Sequence, residues 1–245
     1  MTKLIRAGTL YLIPVALGDT LWGEFLPQRT RDIACGLGHF VVENAKTARA
    51  ELKRMAHPRP LRELAIEQLP EKPDSVQIKQ LLAPLQAGHD LGLMSEAGCP
   101  GVADPGALLV QRAHELGIRV VPLIGPSSIL LALMAAGLNG QQFAFHGYLP
   151  ARDPERSAKI CELEKESQRL KQTQIFIETP YRNDALLESL LKACRPNTSL
   201  CVASNLTLVD EQIMTRHIAE WRATTPPQLH HRPTVFLLNA SSDYR

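Results

Sequence analysis

The stretch LGLMSEAGCPGVADPGALLVQRAHELGIRVVPLIGPSSILLALMAAGL, residues Leu91 to Leu138, decides the fold. Apolar runs at Leu91 to Met94 and Ile118 to Leu123 have the length of buried strands, and Ala107 to Leu116 between them has helical spacing. Asp104 ahead of Pro105 and Gly106 reads as an N-cap with proline in the first turn, and Gly117 as the stop. Ser127 and Ser128 can cap a second helix that Gly137 closes. Strand, helix, strand, helix predicts an α/β fold with a parallel sheet and right-handed crossovers. The loops EAGCPG and IGPSS then leave the carboxyl ends of their strands, the edge where open α/β sheets bind ligands. Each is either an ordinary βα turn or part of a cradle for a small polar ligand. Two in one unit put the cradle on a par with the ordinary turns.

Upstream, Leu10 to Val15 reads as a strand whose exit, IPVALGD, again places proline and glycine at a carboxyl end. A helix is predicted from Leu21 to about Cys35, disturbed at Pro27, followed by a short strand at Phe40 to Glu43 that ends in ENAK. These exits add two further loops to the same edge. Ala56 to Pro73, rich in proline and charge, predicts an irregular excursion or short helix rather than a central strand, and Ser75 to Leu85 a helix. The residues before Leu10 read as part of a core strand.

Downstream, Phe143 to Phe145 is predicted as a strand and Ala151 to Arg169 as a charged helix, which puts a domain boundary near Phe145 to Pro150: an N-terminal α/β domain over 1–145 and a C-terminal one over 146–245. Strands are predicted at Gln174 to Glu178, Leu200 to Ser204 and Thr234 to Leu238, with an amphipathic helix at Arg182 to Cys194.

The 245 residues suffice for two cores, and a net charge of +2 is not that of a strongly basic nucleic-acid binder. Five cysteines without CxxC spacing fit reduced thiols and a cytoplasmic protein. No apolar run approaches the length of a membrane span. The phosphate loop GxxxxGK[ST], a complete GxGxxG, the GxSxG elbow and HExxH are all missing; Gly36 and Gly38 form a GxG, but a strand-like HFVVE follows. The eight histidines are scattered, with His230 and His231 in a proline-rich loop, so no metal is expected. Cys99 has no partner base at a recognisable spacing and is read as a small residue filling a turn.

Carboxylates at strand ends carry more information: Glu43, Glu96, Asp104 and Glu178. In IETPYR, Glu178 arrives with Tyr181 and Arg182, a group able to hold a hydroxyl and a phosphate, or simply an ion pair at the start of a helix. Lys46 and Arg49, with Arg152 and Arg156, can form a basic rim or a solvated face.

The order of these motifs resembles the tetrapyrrole methylase superfamily of S-adenosylmethionine-dependent methyltransferases, with the nearest likeness in its branch of small-subunit ribosomal RNA ribose 2′-O-methyltransferases. GTLYLIPVALGD, SEAGCPGVADPGALLV, VVPLIGPSSILLALMAAGL, FAFHGYLP, IFIETPYR and SNLT follow in the family's order. The resemblance implies two α/β domains with S-adenosyl-L-methionine held between them. It assigns the cofactor to Pro14, to Glu96, Ala97 and Gly98, to Gly125, Pro126 and Ser127, and to Tyr148 with Leu149. It also implies a homodimer and ribosomal RNA as partner. The sequence departs where the family has a GN pair, here Ala16 and Leu17 before Gly18 and Asp19. The family's AEDTR appears as Val42 to Lys46, and its RELT as Ser204 to Thr207.

The implied chemistry is in-line attack of a hydroxyl on the sulfonium methyl, which alignment alone can accelerate strongly. A ribose hydroxyl also needs a base. Glu43 or Glu178 is the expected base, with Lys46 and Arg182 holding phosphate. The alternatives are a methyltransferase acting on a small tetrapyrrole-like acid and a non-catalytic S-adenosylmethionine binder.

Overall fold

The computed structural model describes residues 7–241, and the chain divides between Ser127 and Ser128 into two compact units. The expected strand residues before Ala7 lie outside the described part.

The first unit is built on five strands, β1 (Thr9–Ile13), β2 (His39–Val42), β3 (Ala65–Gln68), β4 (Leu91–Met94) and β5 (Arg119–Pro122), in the order β3-β2-β4-β1-β5. Every pairing is parallel, so all carboxyl ends share one edge. Helices α1 (Trp22–Phe25), α2 (Gln28–Gly36) and α3 (Ala45–Arg54) connect the first strands. Pro27 ends one helix and opens the next, because its ring forbids a continuous backbone hydrogen-bond ladder. α4 (Ser75–Leu81) and α5 (Ala83–Gln86) break in the same way around Pro84, and α6 (Ala107–Glu115) joins β4 to β5.

The central strand β4 is buried at all four residues, since helices cover both faces of the sheet. One face packs Ile13, Phe40, Leu52, Met55 and Met94; the other packs Leu10, Leu82, Leu91, Leu93 and Leu109. The proline- and charge-rich segment holds a strand after all, β3. Three of its four residues are exposed, which an edge position allows and which hid it from a search for apolar runs.

The second unit contains α7 (Ser128–Ala136) and a mixed sheet of β6 (Phe143–Tyr148), β7 (Thr173–Ile177), β8 (Ser199–Ser204), β9 (Gln212–His217) and β10 (Thr234–Asn239), in the order β6-β7-β10-β8-β9. β6 and β7 run parallel; the remaining pairs are antiparallel. The division thus falls before the expected boundary at Phe145, because β6 pairs with β7 and α7 packs beside β8 to β10. Helices α8 (Glu155–Leu170), α9 (Asn183–Ala193) and α10 (Ile218–Ala223) complete the unit.

Its core is centred on Trp221, fully buried, whose indole Nε1 donates to Leu200 O at 2.9 Å. Trp221→Ala is expected to cost about 3–5 kcal/mol by cavity formation, readable as a lower midpoint in urea unfolding. A midpoint unchanged from the native chain would show that this core does not hold the unit together.

Candidate active site

Four loops meet at the carboxyl edge of the first sheet. Val15 and Gly98 exchange both backbone hydrogen bonds, Val15 N to Gly98 O at 2.9 Å and Gly98 N to Val15 O at 3.2 Å, so the loops after β1 and β4 are tied as a two-residue bridge. Cys99 Sγ donates to Pro126 O at 3.4 Å and brings in the loop after β5. The loop after β2 joins through Glu43, whose Oε2 accepts from Glu96 N at 3.1 Å. Pro14, Glu43, Glu96, Ala97, Gly98, Gly125, Pro126 and Ser127 are therefore neighbours along one edge. Pro14, Gly98 and Pro126 form its buried base, while Glu96 and Ala97 are exposed.

Two glycines make this approach possible. Gly98 has φ +72°, a left-handed backbone that side chains resist. A Cβ on Gly125 would overlap the Pro14 ring and stand 3.0 Å from Leu26 Cδ2. The result is a cradle of backbone groups with acidic side chains at its rim, which suits a small ligand carrying positive charge.

Lys46 stands exposed in the first turn of α3, where Asn44 Oδ1 caps the helix by accepting from Lys46 N at 2.9 Å and Thr47 N at 3.3 Å. Asp104 does not cap α6: the N-cap is Gly106, without a side-chain bond. Freed from that role, the Asp104 carboxyl is pushed up to about 6, first by burial and then by the Glu43 charge; Glu96 adds to the rise and a Ser95 hydrogen bond opposes it. The aspartate-proline-glycine signal predicts a cap so well that only the three-dimensional neighbourhood exposes this carboxylate. Burial, and after it the Asp104 charge, raise the Cys99 thiol above its ordinary range.

The second unit has its own group of predicted residues. β6 and β7 run parallel with Tyr148 opposite Ile177, so Tyr148 and Leu149 leave the sheet where Glu178 does. Tyr148 is exposed, whereas the Leu149 side chain is buried in the core. The Glu178 side chain is fully buried; its Oε1 accepts from Arg182 Nη2 at 2.6 Å and Thr179 N at 2.7 Å.

Antiparallel β10 begins at the same end, and β8 finishes there, with Asn205 N donating to Pro233 O at 2.9 Å. Asn205 and Thr207 adopt left-handed backbone, φ 52° and 71°. Glu178 Oε2, Arg182 Nε, Asn183 Oδ1, Asn205 Oδ1 and Thr207 Oγ1 are buried here without hydrogen-bond partners. Such atoms are costly unless a ligand meets them. IETPYR and SNLT were legible as motifs, but their meeting with the segment before β10 depends on a strand order that no local signal encodes.

Among the described residues no group of three or more His, Cys, Asp or Glu could hold a metal ion, and no helix is long and apolar enough to cross a membrane.

The model of the family described as Tetrapyrrole (Corrin/Porphyrin) Methylases matches residues 36–221. The chain is 31% identical over 215 residues to ribosomal RNA small subunit methyltransferase I of Vibrio cholerae, covering 87% of this chain and 70% of that protein. It is 29% identical over 231 residues to the protein of the same name from Xylella fastidiosa, covering 94% and 80%. Among solved structures, the methyltransferase CobJ aligns over 98% of this chain and 97% of its own with a TM-score of 0.64 at 17% identity, a likeness of fold. The chain belongs to the tetrapyrrole methylase family of methyltransferases, in the branch of the ribosomal RNA small subunit methyltransferase I proteins.

Proposed function

We propose that this chain transfers a methyl group from S-adenosyl-L-methionine to a ribose 2′-hydroxyl of small-subunit ribosomal RNA, in the cytoplasm and as a homodimer. The observation that carries this reading is the cradle at the edge of the first sheet, where Pro14, Gly98, Gly125 and Pro126 interlock beneath Glu96, Ala97 and Ser127. Backbone groups there would hold the cofactor's adenosine and methionine parts, and the acidic rim suits its positive charge. From the second unit, the Tyr148 side chain and the Leu149 backbone are the proposed contacts. When bound, the cofactor supplies an electrophilic methyl group.

The chain's part is to orient the hydroxyl and accept its proton. Glu43 is the proposed base, with Asp104 beside it to share the proton before it passes to water. The second candidate, Glu178, fits a positioning role better: it is buried, and its Oε1 is committed to Arg182 and Thr179. Arg182 and Lys46 would then hold phosphate.

Glu178→Gln is expected to raise the KM for RNA about tenfold by loosening Arg182, with kcat and cofactor affinity near native in steady-state kinetics and calorimetry. A fall in kcat of about 100-fold or more at native KM would return Glu178 to the role of base. The function itself is tested by mass spectrometry of ribosomal RNA from cells with and without the gene. Loss of one ribose methyl, restored only by an active copy, supports it; an identical modification profile contradicts it.

A further inference from the structure

At the loop-bearing end of the second sheet lies a group of rings that the reaction above does not use. Tyr181 projects from the turn after β7 with most of its surface in solvent. His230 and His231, both exposed, come from the segment before β10. The Tyr181 ring meets His231 edge-on at 4.8 Å between centroids and His230 at 6.0 Å, and the two imidazoles are 4.0 Å apart.

Exposed rings are ordinarily mobile, but these rest on a loop fixed from below. Leu229 is fully buried, and its N–H donates to Asp184 Oδ1 at 2.8 Å. His231 N donates to Pro180 O at 3.2 Å, and Asn183 Nδ2 donates to Arg232 O at 2.6 Å. Arg232 pairs with Asp210 at 2.8 Å. His231 is also held in a left-handed backbone, φ 62°, which side chains resist. Arg182 follows Tyr181 in the chain; its side chain is partly exposed and is anchored by Glu178 at 2.6 Å. At the same end of the sheet, Asn183 Oδ1, Asn205 Oδ1 and Thr207 Oγ1 are buried without hydrogen-bond partners.

Rigid aromatic faces and one fixed cation are what an unpaired nucleobase and its phosphate require. We infer that Tyr181, His230 and His231 form a stacking platform for an unpaired base of the RNA, with Arg182 taking an adjoining phosphate. The inference rests on the RNA reading above and narrows it to a single-stranded segment rather than a duplex. It is sequence-tolerant, because every base offers a π-face.

The test compares a short labelled oligoadenylate with the same backbone made abasic, by fluorescence anisotropy at fixed salt. The native chain should bind the base-bearing probe at least about fivefold more tightly. The double variant Tyr181→Ala, His231→Ala should lose that preference while binding the abasic probe as before; Tyr181→Phe should keep it. Arg182→Ala should weaken both probes alike and flatten the salt dependence. Tyr181 and His231 are exposed, so thermal melts of their variants should match the native chain; Arg182→Ala leaves the buried Glu178 carboxylate without its cation and should melt lower, so its binding is read well below that melt. Equal binding of the two probes by the native chain, or an undiminished preference in the double variant, overturns the platform. Cofactor uptake is measured separately by calorimetry. Retained base preference without uptake leaves the platform standing and sinks the methyltransferase reading; uptake without base preference does the reverse.

Discussion

Gly125→Ala is expected to reduce turnover about 100-fold and to remove most of the calorimetric heat of S-adenosylmethionine binding. The reason is steric and local. The new Cβ would occupy the space of the Pro14 ring and press on Leu26, so the loops after β1 and β5 must separate. The Val15–Gly98 bridge and the Cys99–Pro126 contact couple that movement to the loop after β4. A displacement of about 1 Å in groups that align reactants is enough for a loss of this size. Gly140→Ala is the control: a Cβ there meets nothing within 4 Å, and binding and turnover should be native. Native cofactor affinity in Gly125→Ala would mean that these loops do not seat the cofactor.

Asp104→Asn is expected to stabilise the fold above pH 6 and to weaken cofactor binding at the same time. The Asp104 carboxyl is raised from 3.8 to about 6, so folding favours its protonated form. Its contribution to stability is complete below 3.8 and is lost as pH rises through about 6. Asparagine does not titrate, and the advantage of the variant therefore grows across that window and levels off above it. The full shift corresponds to about 3 kcal/mol; partial exposure screens it, leaving about 1–2 kcal/mol. Urea unfolding at pH 8 and at pH 3.5 measures both limits, with a gain only at the higher pH.

The cost falls on the ligand. S-adenosylmethionine carries a positive charge that its demethylated product lacks, so removing one carboxylate from the set Glu43, Glu96 and Asp104 should weaken the cofactor about fivefold while leaving the product nearly unaffected. Equal stability at both pH values, or equal losses for the two ligands, would show that the Asp104 environment is not that of a destabilised, ligand-facing carboxylate.

How far the residues alone reach is seen in particular elements. β4 and α6 were legible because a short apolar run and a helical period sit between clear stop signals. The edge strand β3 was not, since its exposed side chains look like loop. β9 and α10 were not anticipated either: β9 is an edge strand without buried residues, and α10 has only six residues. At the site, glycine and proline announced the loops, because backbone requirements are written in residue type. Asp104 was hidden by its resemblance to a cap, and the Tyr181 and histidine group by the antiparallel pairing of β10 with β7, a contact between residues some fifty positions apart.

The central claim is methyl transfer to a ribose hydroxyl, and reconstitution tests it most directly. Purified chain is incubated with methyl-labelled S-adenosylmethionine and small ribosomal subunits from cells lacking the gene, and the RNA is digested to nucleosides for mass spectrometry. The account predicts label in a single 2′-O-methylated nucleoside. Label on a base, or none in RNA despite bound cofactor, would contradict it.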